Sequence, residues 1–214
     1  MINKKALSYW LILCAVFFLV FRILPQKGII PGEPDEFIYS RVARDLGWSF
    51  PPYYSGAPFI VEPPLFPILA APIIKITGNP LFSVRIVSFL LTLATSLVIF
   101  LYLFSKLRSY YIAVLAAAFF LFNPLTVFYS QVGVLEPTLS ILLLIFFISL
   151  ERAVQTGRFW PFLLAGLSSL LSILTKYTGF YTIPILFLAF LFRSAKLNVE
   201  KREDLSNVYL FWDY

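Results

Sequence analysis

Apolar residues run through this chain in blocks of near membrane-spanning length, with most polar residues gathered between them. Blocks at about 7–24, 81–104, 110–129, 137–150, 159–175 and 177–192 read as about six spanning helices. Lys4 and Lys5 precede the first block, and no small-residue cleavage site follows it. It is also longer than a signal-peptide core, which predicts a retained helix. Between the first and second blocks, Ile38, Tyr39, Val42, Ala43 and Leu46 recur at helical spacing. Glu36, Arg41, Arg44 and Asp45 are placed elsewhere around that axis, so the segment predicts an amphipathic helix at the membrane surface. A Pro- and Tyr-rich stretch, SFPPYYSGAP, comes next. EPPLFPILAAPIIKITG then reads as a second interfacial or re-entrant helix, since prolines interrupt a short apolar run.

Composition strengthens this picture. The chain is 60% hydrophobic and 13% charged, with 24 Phe among 214 residues. Soluble domains carry about a quarter charged residues, so the chain is an integral membrane protein. The net charge of +6 does not indicate nucleic-acid binding, because the basic residues flank apolar blocks as they do in membrane proteins. Cys14 is the single cysteine and there is no histidine. A disulfide framework and a histidine base or ligand are thereby excluded within this chain.

With six spans, Lys4/Lys5, Lys106/Arg108, Arg152/Arg158 and the basic residues from Arg193 to Arg202 share one side. Gln131, Glu136 and Lys176 fall on the other. The positive-inside rule then places both termini in the cytoplasm of a multi-pass cell-membrane protein. The segment at about 25–80 becomes the first external loop.

The densest cluster of charge is GEPDEFIYSRVARDLG, residues 32–47, with four acidic and two basic side chains. Pro34 suits the first position of a helix, and Asp35 and Glu36 in its first turn complement the helix dipole. A surface carboxylate can equally serve as general base toward a hydroxyl or ligate a divalent metal. Glu136, at the start of the fourth block, is either a helix-start residue before Pro137 or a functional carboxylate beside hydrocarbon. Lys176 and Arg85 each read as a snorkelling cation or as a ligand for an anion such as phosphate. Glu62 reads as a further site carboxylate or, the favoured reading, a solvated loop residue, and Trp10, Trp48 and Trp160 as interfacial anchors.

The ordered motifs EPDEFIYSRVARDLG, EPPLFPILAAPIIKITG, VRIVSFLL, NPLTVFYSQVGVLEPTL and LTKYTG resemble the N-terminal half of polyprenyl-phosphate-sugar-dependent glycosyltransferases of the GT-C fold. That group includes protein O-mannosyltransferases and lipid A aminoarabinose transferases. The resemblance implies an all-α membrane protein, a GT-C-like helical bundle over residues 1–192, with 193–214 a cytoplasmic tail or the start of a continuation. It implies transfer of a sugar, mannose-like in some relatives, from a polyprenyl phosphate to an external protein, lipid or glycan acceptor with inversion. Asp35 would be the catalytic carboxylate, supported by Glu36 and with Glu136 as the second acidic position. Arg85 and Lys176 would hold the lipid phosphate, and a divalent metal stays open.

Relatives often carry Lys where Glu62 precedes Pro63, and they usually continue through further spans. A separately encoded C-terminal half and a non-catalytic truncated paralogue are therefore alternatives. From another class, a transporter or lipid-flipping subunit would use the same carboxylates for ion coupling.

Overall fold

Caps and prolines set where the helices begin and end. The computed structural model describes residues 4–23, 34–46, 53–54, 57–58 and 62–193. Helix α1 (Lys4–Ile23) is followed by α2 (Pro34–Asp45), which starts on its proline. A two-residue antiparallel ladder pairs β1 (Tyr53–Tyr54) with β2 (Ala57–Pro58) in the register Tyr53 to Pro58 and Tyr54 to Ala57. Helix α3 (Leu65–Thr77) closes on Gly78, whose left-handed φ of 68° lets its N–H reach the Ile74 carbonyl. Asn79 then accepts the Phe82 N–H at 3.0 Å, and Pro80 opens α4 (Pro80–Leu107).

The remaining helices are α5 (Tyr110–Leu121), α6 (Pro124–Gln131), α7 (Glu136–Thr156), α8 (Phe159–Ile173) and α9 (Tyr177–Arg193), the last opening with a 3-10 turn over Tyr177–Tyr181. Apart from the short ladder the described chain is helical, so the protein is an all-α membrane protein.

The helices differ from the hydropathy blocks in length and shape. Among the described residues, α4 and α7 are long and apolar enough to cross a membrane. At 1.5 Å per residue they reach about 42 and about 31 Å, against a hydrocarbon core of about 30 Å. The block at 110–129 is not one straight helix: α5 and α6 meet at a bend of 62°. Pro124 lacks an N–H and disfavours a helical Asn123, whose side chain instead accepts the Leu125 N–H at 3.0 Å. Counting the bent pair gives a third span. Leu7–Leu19, α8 and α9 are apolar but shorter, so among the described residues length and composition alone mark two or three of the expected spans.

Helix α4 is the hub, with α1, α2, α3, α5, α6 and α7 all packed against it, while α8 joins α7 to α9. Near one end, Tyr39, Val42 and Ala43 of α2 are buried with Phe66 and Ala70 of α3 and Val84 and Val87 of α4. The apolar face of α2 therefore packs on protein rather than lying on lipid. Arg41, Arg44 and Asp45 are on its exposed side, as the spacing predicts, but Glu36 is buried with the apolar set. Farther along, Phe100, Ala113 and Ala117 pack with Trp10. The Trp10 indole N–H donates to Ser96 Oγ at 3.1 Å, so this residue ties α1 to α4 in addition to any interfacial role. Trp160 is exposed at the start of α8. Trp48 and the 194–214 tail lie outside the described residues.

The α8–α9 junction depends on a close approach. A Cβ on Gly179 would lie 2.4 Å from the backbone carbonyl carbon of Ser172. The Gly179 N–H also donates to the Lys176 carbonyl at 2.8 Å. Gly179→Ala is expected to cost about 1–3 kcal/mol, read as a lowered unfolding midpoint of the detergent-solubilised protein.

Candidate functional site

Glu36 sits one residue after Asp35 on α2, and its side chain is fully buried. A buried carboxylate must be paired and hydrogen-bonded to be tolerated. Arg85 on α4 supplies a two-pronged partner, with Nε 2.6 Å from Oε1 and Nη2 2.8 Å from Oε2. The Gly133 backbone N–H donates to the same Oε1 at 2.7 Å. Three hydrogen bonds from two elements thus converge on one carboxylate.

Gly133 is needed for this approach, because a Cβ there would meet Val84 Cγ2 at 2.2 Å. Next to it, Ser88 Oγ donates to the Val134 carbonyl at 3.0 Å and accepts the Val134 N–H at 3.2 Å. The 132–135 loop is thereby fixed to α4 immediately before Glu136.

Around this anchor the structure brings several other charged groups to the same end. Glu136, the first residue of α7, accepts from Lys176 Nζ at 3.1 Å. Lys176 is carried there by the chain leaving α8, which is tied to the start of α3 by the Leu65 N–H donating to the Leu174 carbonyl at 3.0 Å. Asp35 is exposed, and among the described residues it makes no hydrogen bond or ion pair. Of the five residues singled out from the sequence, Glu36 pairs with Arg85 and Glu136 pairs with Lys176, leaving Asp35 open.

Glu62 reads from the sequence as either a further site carboxylate or, the favoured reading, a solvated loop residue. It is partly buried rather than a solvated loop side chain, and it accepts a hydrogen bond from the Tyr39 hydroxyl. Burial pushes its carboxyl above the ordinary carboxylate range, nearby Lys176 pulls it down, and Asp35 and Glu136 push it further up. Glu62 therefore shares a local field with the other three charged groups. No local pattern announces this, because the contacts join segments far apart in the chain.

A cavity of about 630 Å³ opens beside Glu136, and its lining includes Phe119, Phe120, Tyr129, Leu139 and Leu143. It is an apolar cleft among α4, α5, α6 and α7 with a carboxylate on its wall. At the opposite end of the bundle, Lys106 Nζ lies 2.5 Å from Glu151 Oε1, and the Tyr102 hydroxyl donates to Glu151 Oε2 at 2.6 Å. Arg193 lies at that end too, against Gly157. Among the described residues no three His, Cys, Asp or Glu side chains gather at a spacing suited to a metal ion.

The acidic end of the helical bundle thus lies beside an apolar cleft. Residues 61–207, well over half of the chain, match the dolichyl-phosphate-mannose-protein mannosyltransferase family, and the chain belongs to that family. It is also similar to the undecaprenyl phosphate-alpha-4-amino-4-deoxy-L-arabinose arabinosyl transferase of Serratia proteamaculans (strain 568), at 25% identity over 189 residues. That match covers 85% of this chain and 34% of the relative, so the chain spans about a third of the relative's length. No solved structure matches.

The Glu36–Arg85 pair has a measurable signature. Arg85→Met leaves a buried carboxylate without its cation and is expected to cost about 3–5 kcal/mol. Adding Glu36→Gln removes the stranded charge and is expected to recover much of that loss. Chemical unfolding of the purified variants reads both values.

Proposed function

We propose that this chain forms the donor-handling part of a membrane glycosyltransferase that moves a sugar from a polyprenyl phosphate to an acceptor. The observation that carries this reading is the convergence of exposed Asp35 with the Glu136–Lys176 pair at one end of the bundle, beside an apolar cleft. The family match and the printed activity of the arabinosyl transferase relative support the same class of reaction. The sugar and the acceptor are left as a class: a hexose or aminopentose donor, and a hydroxyl on a protein, lipid or glycan.

In this mechanism the polyprenyl tail lies in the cleft lined by Phe119, Phe120 and Leu143. The phosphate sits at the polar end, where Lys176 turns from Glu136 to the phosphate oxygens. Asp35, with no partner among the described residues to occupy it, accepts the proton of the acceptor hydroxyl. The hydroxyl oxygen attacks the anomeric carbon from the side opposite the phosphate. The bond from that carbon to the phosphate oxygen breaks, and its electron pair leaves with the polyprenyl phosphate. The product is inverted at the anomeric centre, and Lys176 stabilises the charge on the departing phosphate.

Glu36 and Arg85 act behind this chemistry. Their pair holds α2 against α4, and with Gly133 it sets the relative positions of Asp35 and Glu136. The acidic end faces the outside of the cell membrane, and the Lys106–Glu151 end faces the cytoplasm, in keeping with the basic residues gathered there.

Labelled polyprenyl-phosphate sugar supplied to membranes containing the chain tests the reading. Asp35→Asn is expected to reduce transfer at least about 100-fold, the scale of a lost general base, with donor binding retained. Lys176→Ala is expected to weaken donor binding by about 10- to 100-fold, the scale of a lost charged hydrogen bond. Transfer that survives Asp35→Asn unchanged would remove Asp35 from the mechanism.

A further inference from the structure

Hydroxyls inside the bundle mostly spend their hydrogen bonds on the chain itself. Ser88 serves the Val134 backbone, Thr92 donates to the Ser88 carbonyl at 2.9 Å, and Ser140 donates to the Glu136 carbonyl at 2.8 Å. Such back-bonding is how a hydroxyl settles where water is scarce. Tyr129 is different. It is half-buried and lines the same cleft of about 630 Å³ as Glu136, yet its hydroxyl has no hydrogen-bond partner among the described residues. The buried side-chain atoms left without a partner there are Thr138 Oγ1 and Arg193 Nε. The phenol oxygen is not one of them, so it stays accessible.

The fold holds this phenol beside the acidic end. Tyr129 is in the last turn of α6, Glu136 is in the first turn of α7, and the two helices pack on each other. The loop between them is pinned by Val134 to Ser88 and by Gly133 to Glu36. The Tyr129 ring stands edge-on to Phe128, with centroids 5.4 Å apart. Its neighbour Ser130 is buried and donates to the Val127 carbonyl at 2.8 Å. Lys176 Nζ completes the group, 3.1 Å from Glu136 Oε1.

A phosphodiester presents two unesterified oxygens that share one negative charge. Lys176 can serve one of them, but only by giving up its carboxylate, which exchanges one anion for another. A neutral donor has no ion pair to give up, and its hydrogen bond to a charged oxygen is of the stronger kind. Of the other hydroxyls on the cleft wall, those of Thr92 and Ser140 are committed to backbone carbonyls. Thr126 Oγ1 has no partner among the described residues, but it stands three residues, about 4.5 Å along α6, farther from the acidic end.

We propose that Tyr129 is a second ligand of the donor phosphate: its hydroxyl donates to one unesterified oxygen while Lys176 takes the other. This inference rests on the glycosyltransferase reading above and adds to it a neutral contact that recognises the phosphodiester rather than the sugar or the tail. The contact also offers the phosphate a hydrogen bond before Lys176 has parted from Glu136.

The test is binding of geranylgeranyl methyl phosphodiester to the purified, detergent-solubilised protein, with geranylgeranyl methyl ether as the uncharged companion. Tyr129→Phe keeps the ring and removes the hydroxyl. It is expected to weaken diester binding about 10- to 100-fold, with ether binding and the unfolding midpoint as in the wild type. Thr126→Val is expected to keep diester affinity within about twofold. An excess of dioleoyl phosphatidylglycerol, a phosphodiester without the branched chain, is expected not to displace the prenyl probe.

Unchanged diester affinity in Tyr129→Phe overturns the inference. An equal loss for diester and ether does so too, because it marks a packing role. A loss in Thr126→Val as large as that in Tyr129→Phe places the phosphate deeper and also overturns it. Displacement by phosphatidylglycerol overturns the assignment to the donor. A wild type that binds no diester overturns the glycosyltransferase reading, and this inference with it.

Discussion

The buried Glu36–Arg85 pair is the constraint on which the rest of the site depends. A carboxylate with no solvent exposure is stable only while its partners stay in place. Those partners come from α4 and from the loop before α7. The pair therefore locks three segments, joined also by the Ser88–Val134 hydrogen bonds between α4 and the loop and by apolar packing, which is far less particular about register. Asp35 precedes Glu36 by one residue, and Glu136 follows Gly133 by three. One electrostatic contact thus governs where both carboxylates stand.

Much of the helical scaffold was legible in the chain. The Asn79-Pro80 start of α4 and the Pro34 start of α2 follow from local chemistry alone, and so does the amphipathic spacing of α2. The boundary at Asn123-Pro124 was equally local, yet continuous hydropathy across it concealed a 62° bend. Glu36 could have been placed by spacing, since 36, 39 and 43 share one helical face and Tyr39 and Ala43 are core. Its charge argued for solvent, and the cation that reverses that argument lies 49 residues away. Glu62 could be weighed as a site carboxylate, but nothing local favoured that over a solvated loop residue. Its neighbours come from α2, α7 and the α8–α9 junction, so only the folded packing reveals them.

The two ends of the bundle are chemically distinct. One has exposed Asp35, the Glu136–Lys176 pair and partly buried Glu62 beside an apolar cleft. The other closes on the Lys106–Glu151 pair, with Tyr102 and Gln155 completing the hydrogen bonds of that carboxylate. An ion pair whose carboxylate is already satisfied from three sides serves as a structural staple. The first end keeps a carboxylate unpaired among the described residues and a cation held by the single carboxylate of Glu136, an arrangement more open to exchanging partners. The mannosyltransferase family match covers α3 through α9.

A structure of the protein in a lipid nanodisc with a non-hydrolysable polyprenyl-phosphate sugar tests the central claim most directly. The account predicts the phosphate within hydrogen-bond reach of Lys176, the sugar beside Asp35, and the Glu36–Arg85 pair intact behind them. A phosphate bound at the Lys106–Glu151 end, or an α2 lifted from α4 with Arg85 turned to the phosphate, would contradict it.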